Sequence, residues 1–435
     1  VLEINSKTGL YPLYVAYSIY RDKCKDYKEQ DLNYELKEKL WLDTVTNNIF
    51  VVCKTPMAKL ITKRTLVGFK DLYVNTRHFD DLINQLKNKS NQFIDKITNP
   101  KKWKLEGENK MEFNAIVGNP PYQQMDGGNG ASSSPVYNYF IEQSKKINPK
   151  YLSMIIPARW YVGGKGLDNF RADMLSDKHI KKLVDYGNSQ DVFLGVDIAG
   201  GICYFLWDRK YNGLCEVKSC SKKGKEVSIR YLDEYNIFIR YSKAIQIINK
   251  VININKNNKY LNNRVSSRKP FGLPTNYKPK NKGIPCWFIQ KIGLKYAKKE
   301  DILDNNDYLG RWKLLAPKSP IAGQTDFTKP VGFYYEGNTR IAKPGECCTE
   351  SYIILGAFDT EEEVVSFRSY IFTKIVRFLL LQTVASQDVT KKNFCFIPDL
   401  EKYDEIYTDE RLKKLWGITD EEWKYIDSRI CNIGK

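Results

Sequence analysis

Apolar positions along this 435-residue chain fall in short runs separated by polar connections rich in Asn and Lys. The runs alternate between strand-like blocks and stretches of helical period. Residues 1–20 read as a strand, a tight turn at 6–9 and an apolar helix over 13–19. Residues 48–53 form a second apolar strand, followed by Thr55-Pro56 and a basic helix to about residue 65. Residues 87–105 are charged and carry Asn99-Pro100-Lys101-Lys102, the signature of an exposed connection. The next apolar run, 113–118, stops abruptly at Asn119-Pro120-Pro121-Tyr122. Beyond it come a Gly/Asn/Ser loop at 127–134, a helix over 135–147, a short buried strand at 151–156 and an amphipathic helix over 166–175. Strands at 180–186 and 202–207 follow, joined by a long loop that contains 191–197. Alternating strands and helices predict an α/β domain extending to about residue 240.

The texture then changes. Residues 215–235 are polar with β character, 241–253 look helical, and 256–282 are rich in Asn, Lys, Arg and Pro. Trp287, Phe288, Tyr296, Tyr308, Trp312, Phe333, Tyr334 and Tyr335 interleave with basic residues as far as Lys343. Residues 360–381 predict one long amphipathic helix, and Thr419-x-x-Glu422 is a capping box opening a final helix through residue 430. The expected division is 1–240, a mixed α+β segment at 241–400, and a helical tail at 401–435. The chain opens at Val1, inside an apolar run and without Met, so elements preceding the first strand are expected in the whole protein.

Charge sharpens this division. The formal net charge is +18. Residues 256–343 hold 18 Lys or Arg against 6 Asp or Glu, an excess of 12. A localised excess of that size fits a polyanion, most simply nucleic acid. Abundant Lys across the whole chain explains the mean charge better than it explains the clustering. The ten cysteines form no C-x-x-C pair, and only His78 and His179 could join them, so neither zinc nor a disulfide framework is expected. No apolar run reaches membrane-spanning length and no signal peptide is visible, which predicts a cytoplasmic protein.

Residues 119–122 carry the most specific chemistry. A buried strand emptying into Asn-Pro-Pro-Tyr puts these groups at the carboxyl edge of a sheet, where open α/β folds bind ligands. Asn119 offers a side-chain carbonyl that accepts from an amine. Pro120 and Pro121 donate no N–H and hold the chain extended with its carbonyls turned outward. Tyr122 supplies a face for stacking a base. Two acceptors and a ring suit a planar exocyclic amine such as N6 of adenine.

At these residues the chain resembles the N6-adenine DNA methyltransferases, specifically the large IIG-like methylases of type II restriction–modification systems. The resemblance extends to the loop at 125–135, to Ala158-Arg159-Trp160-Tyr161 after the strand at 151–157, to the pair 180–187 and 200–208, and to the tail from Ser386-Gln387-Asp388-Val389-Thr390-Lys391 through residue 430. It implies a Rossmann-like, seven-stranded methyltransferase sheet that uses S-adenosylmethionine, followed by a target-recognition domain. Asn119, Pro120, Pro121 and Tyr122 would be catalytic. The family's cofactor turn, D/E-P-x-x-G-x-G-x-F/Y, is matched by Glu3, Gly9 and Tyr11, whereas Lys7 replaces its first glycine and Ile4 its proline. A second alignment makes Glu3 the ribose-binding acid of the next strand. At the end of the second strand Cys53 stands where many relatives carry an acid. Asp81 fits the acid–Leu pair that holds the cofactor's adenine, and equally fits an N-cap of the following helix.

Double-stranded DNA is the implied partner, with Arg264, Arg268 and Lys269 as phosphate contacts and the 127–134 loop as a lid over the base, or simply a solvated connection. Most of the aromatics in the basic segment are expected to be that domain's own core. No nuclease triad is visible, so cleavage would reside in sequence or a subunit outside this chain. The alternatives are methylation of cytosine N4 or of protein glutamine by the same turn, and a DNA-binding or specificity protein whose cofactor site has decayed, as Lys7 and Cys53 suggest.

Overall fold

The computed structural model describes residues 1–125, 133–162, 166–222, 224–324, 326–333, 335–384 and 387–433. These fold as two units, one made of Val1–Tyr186 and Ile202–Asn236, the other of Gly187–Gly201 and Ile237–Lys435. The first unit ends at residue 236. The loop between the strands at 180–186 and 202–208 belongs to the second unit, as does the tail from residue 401.

The first unit is built on a sheet of β1 (Leu2–Ser6), β2 (Phe50–Cys53), β3 (Asn75–His78), β4 (Ala115–Gly118), β7 (Tyr151–Pro157), β8 (Ile180–Tyr186), β9 (Ile202–Asp208), β10 (Cys215–Ser221) and β11 (Gly224–Arg230). A separate ribbon pairs β5 (Gln123–Met125) with β6 (Ser133–Pro135). The sheet order is β11-β10-β8-β9-β7-β4-β1-β2-β3. Strands β3, β2, β1, β4 and β7 are mutually parallel, and β9 runs antiparallel between β7 and β8. The sheet has nine strands among the described residues, two more than the seven expected. The two extra strands come from the polar stretch after 215. In β10 buried Cys215 and Val217 alternate with half-exposed Glu216 and Lys218, and Cys220 is buried on the opposite face.

Central β1 and β2 are buried along their whole length, as parallel strands covered on both faces must be. Helices Leu10–Cys24 and Pro56–Val67 follow them directly. Ala16, Val51, Cys53, Leu66 and Val74 share one core cluster there. Between those helices Gly9 has φ 79°, and a Cβ on it would lie 2.9 Å from Thr62 Cα and Thr65 Cβ. Only glycine satisfies both the left-handed backbone and the close approach.

The second unit is α+β. One sheet pairs Leu294–Ala297, Ile284–Trp287 and Cys347–Cys348, and another pairs Arg340–Ala342, Trp312–Pro317 and Tyr352–Phe358. The single helix expected over 360–381 is two, Glu361–Phe372 and Lys374–Leu381. Thr373 takes an extended conformation between them and its hydroxyl accepts from Val376 N–H, capping the second helix at the cost of the first. Phe288, Phe333 and Tyr335 are buried, so these aromatics are core, whereas Tyr296 stays exposed. Tyr334 and Ser386 lie outside the described residues. Among the described residues no helix is long and apolar enough to cross a membrane.

Candidate active site

Because β1 to β4 are parallel, their carboxyl ends share one edge of the sheet. That edge collects residues 6–9, 53–55, 79–81 and 119–122. Glu3 pairs in register with Val117, so the strand bearing Glu3 lies directly beside the one that opens into Asn119. Gly118 is pressed against β1, where a Cβ would meet Ile4 O at 3.1 Å. Asn119, Pro121 and Tyr122 are half-buried and Pro120 is buried.

Polar residues in a strand buried on both faces are costly unless something uses them. Strand β1 carries three, Glu3, Asn5 and Ser6, each at most 5% exposed. Burial pushes the Glu3 carboxyl up to about 7, against an opposing hydrogen bond from Ser6. Its Oε2 is enclosed with no partner among the described residues. An orphaned, reluctantly charged carboxylate beside the 119–122 turn fits a ligand that brings a cation or hydrogen-bond donors. Asn5 has φ 82°, rare for a residue with a side chain, and its Nδ2 donates to the Asn119 backbone carbonyl at 3.4 Å. Lys7, at the position of the missing glycine, is exposed and does not take a positive φ. The turn is thus remodelled, with its left-handed residues at Asn5 and Gly9. Gly9 itself is buried against Thr62 and Thr65, so its immediate role is helix packing.

Tyr11 and Tyr122 approach the same point. Burial raises the Tyr11 hydroxyl's pKa, and nearby Glu3 and Tyr204 add to it. Burial likewise raises that of Tyr122, with Cys203 and Tyr11 as lesser causes, and the Tyr122 hydroxyl has no partner among the described residues. Cys203 and Tyr204 lie at the start of β9. Because β9 is antiparallel, its start sits at the edge where the parallel strands end, opposite Ile156 and Ile155 of β7. Trp160, just after β7, donates its indole N–H to Cys203 Sγ at 3.4 Å, and the Tyr161 hydroxyl donates to buried Asp185 at 2.9 Å. Sequence reasoning missed Asn5, Cys203 and Tyr204. The one signal available was Asn5 itself, a polar residue inside an apolar strand.

Two other cofactor candidates stand differently. Cys53 is fully buried in the core, its Sγ 3.8 Å from Thr62 Oγ1, and burial raises its thiol to about 11. A thiol so placed faces packing and presents no side chain to the edge. Asp81 is exposed at the N-cap of Leu82–Asn88 with φ 50°, and its carboxylate makes no capping bond. Most of the 127–134 loop lies outside the described residues.

In the second unit the basic residues separate into engaged and available groups. Arg264, expected as a phosphate contact, is engaged within the unit. Its Nε and Nη2 bond the two oxygens of Asp399 at 2.9 and 3.2 Å, and the guanidinium lies over Phe358 and Tyr403. Removing one partner of such a sheltered pair strands the other. Arg264→Ala is therefore expected to cost about 3 kcal/mol in denaturant unfolding. It should leave the salt dependence of DNA binding unchanged; a reduced dependence in a stable variant would restore Arg264 to the DNA surface. Lys313 is fully buried, its ammonium held by the carbonyls of Leu309, Arg311 and Lys343, and burial lowers its pKa to about 8. Arg268 and Lys269 stay about half exposed and share Glu350.

Residues 47–193, which include the 119–122 turn, match the Eco57I restriction-modification methylase family. Over 125 residues the chain is 39% identical to an "Uncharacterized adenine-specific methylase" of Mycoplasma pneumoniae (strain ATCC 29342 / M129 / Subtype 1), a match covering 27% of this chain and 29% of that protein. The chain thus spans less than a third of the curated relative it matches. Similar solved structures include the type IIG restriction endonuclease BpuSI, at 11% identity and TM-score 0.36 over 96% of this chain and 57% of that one. The DrdV–DNA complex matches at 10% identity and TM-score 0.42 over 93% and 53%. The EcoKI M protein of a type I restriction enzyme matches at 12% identity and TM-score 0.32 over 51% and 46%.

Proposed function

We propose that this chain is a cytoplasmic, site-specific DNA adenine-N6 methyltransferase of a restriction–modification system, acting on an adenine flipped out of the duplex. The observation that carries this reading is the Asn-Pro-Pro-Tyr turn at the end of β4, beside the buried acid of β1. The Eco57I match and the adenine-specific methylase homologue support it. On this reading the strands β3-β2-β1-β4-β7-β9-β8 are the methyltransferase sheet, and β10 and β11 extend it.

When bound, S-adenosylmethionine would supply an electrophilic methyl group. Glu3 of β1 and Tyr11 of the helix that follows would hold it, with Asp81 just beyond β3. The Asn119 side-chain carbonyl and the Pro120 backbone carbonyl accept the two hydrogens of the adenine amine at about 2.7–3.2 Å. That hold turns the nitrogen lone pair outward and conserves its direction as the nitrogen gains sp3 character. Tyr122 stacks on the extruded base and repays part of the cost of unstacking it. No strong general base is needed, because the gain comes from alignment. The second unit binds the duplex, and any nuclease lies in a domain or subunit outside these residues.

The remodelled turn with Lys7 favours a second reading, a DNA-binding protein that no longer binds the cofactor. One experiment separates them. The purified chain is incubated with methyl-labelled S-adenosylmethionine and unmethylated genomic DNA, with calorimetry of the cofactor alone and with DNA. Label in the DNA is expected; neither binding nor incorporation would leave the second reading.

A further inference from the structure

The second unit carries a hairpin, two of the three strands of its sheet, that is buried on its inner side and exposed along its edge strand and most of its turn. Strands Ile284–Trp287 and Leu294–Ala297 pair antiparallel, with Trp287 opposite Leu294. The turn closes through Phe288 N–H to Gly293 O at 3.0 Å and Gly293 N–H to Ile289 O at 3.1 Å, with Gly293 at φ 71°. Cys286, Phe288 and Ala297 root the ribbon in the unit's core. At the root, a Cβ on Gly283 would lie 2.1 Å from Ala297 O, so the ribbon's entry demands glycine. Trp287 is fixed by its N–H to Glu346 at 2.8 Å.

The edge strand and the rest of the turn are open. Ile289, Ile292, Leu294 and Tyr296 are each more than 40% exposed, and Gln290, Lys291 and Lys295 are exposed between them. Leu294–Ala297 is an edge strand of its sheet. Under the tip, Ile289 and Gln290 border a cavity of about 220 Å³. Residues 275–301 hold 7 Lys against 2 acids, a net excess of 5. Among the described residues none of Lys278, Lys282, Lys291, Lys295 and Lys298 forms an ion pair, in contrast to Arg264, Arg268 and Lys269.

We infer that this ribbon is the element that enters the groove of the target duplex. Gln290 at its tip reads a base edge and Lys291, Lys295 and Lys298 lie along the phosphates. The inference rests on the DNA-methyltransferase reading for its partner. The major groove, about 12 Å wide, admits a hairpin presented by its edge strand and turn. Gln presents a donor and an acceptor that match adenine N6 and N7. Unpaired ammonium groups release counterions from phosphate at no internal cost. Apolar tip residues among them suit the methyl groups and sugar faces of DNA, which offset the cost of leaving those side chains in water.

The test compares the chain with Lys291→Ala/Lys295→Ala/Lys298→Ala and with Gln290→Ala. All four side chains are exposed, and thermal unfolding checks that each variant is folded. Duplex binding by anisotropy over several salt concentrations should show the slope of log K against log salt shrinking by up to about 2.7 in the triple variant, on target and non-target duplexes alike. Gln290→Ala should keep the slope and lose roughly tenfold in discrimination at one base pair, read by sequencing methylated sites. An unchanged slope, or an unchanged list of methylated sites, overturns the inference. Wild-type methylation with an unchanged triple-variant slope would remove the ribbon and leave the enzyme reading standing. A shrunken slope with no methylation by wild type would do the reverse.

Discussion

Asn119→Ala should all but abolish methyl transfer to DNA while the chain stays folded, a loss of about 10²–10³-fold of the kind seen when a preorganised polar contact to the reacting group is removed. The side chain is half-buried at the open edge of the sheet and the turn is held from its backbone side by Asn5, so the deletion should leave no collapsed core. Cofactor and DNA affinities should hold nearly constant, because the amide acts on the amine alone. Two companions separate the roles within the turn. Tyr122→Ala should weaken binding of the flipped base by about 1–3 kcal/mol. Tyr122→Phe should keep nearly full activity, since the hydroxyl has no partner among the described residues and the ring is what stacks. Near-wild-type single-turnover rates in a folded Asn119→Ala protein would remove the turn from the chemistry.

Glu3 should couple cofactor binding and folding to pH. Its carboxyl titrates near 7 in the fold and near 4.5 when exposed. A raised value means that the fold favours the neutral acid. That contribution is fully present below pH 4.5 and is lost as pH rises through 7, a total of about 3 kcal/mol. Glu3→Gln should therefore match the wild type near pH 4.5 and exceed its stability by about that amount at pH 8.5 in urea unfolding. A cationic ligand placed against Glu3 favours the charged form, so binding should expel a proton around pH 6–7. Calorimetry in buffers of different ionisation enthalpy reads that proton. The same Gln variant should bind the cofactor more weakly even though it is more stable. Equal affinity together with no proton release would take Glu3 out of the cofactor site.

What could be read in the sequence was local, and what could not was set by distant partners. The turn at 119–122 was visible because two prolines after an apolar run dictate a strand end whatever surrounds them. The order of strands before it was visible for the same reason. Asn5 was not, since a left-handed residue at the end of a buried strand looks like any other strand position. Cys203 and Tyr204 join the site only because β9 inserts antiparallel between β7 and β8. Arg264 looked like a surface cation because Asp399, which neutralises it, lies 135 residues away. Thr373 hid inside a continuous apolar run, although its hydroxyl cap splits the helix there. The basic segment was located correctly as charge, yet only the fold divides engaged cations from the unengaged lysines of the 284–297 ribbon.

The central claim is that the 119–122 turn presents its carbonyls to N6 of adenine. It is tested most directly by identifying the atom that receives the methyl group. The full chain is incubated with S-adenosylmethionine carrying a deuterated methyl group and with unmethylated genomic DNA. The DNA is then digested to nucleosides, and the masses are read with the Asn119→Ala protein as blank. The expected result is deuterated N6-methyladenine from the wild type and none from the blank. Label on N4 of cytosine, label found only on protein glutamine, or equal label with the Asn119→Ala protein would contradict it.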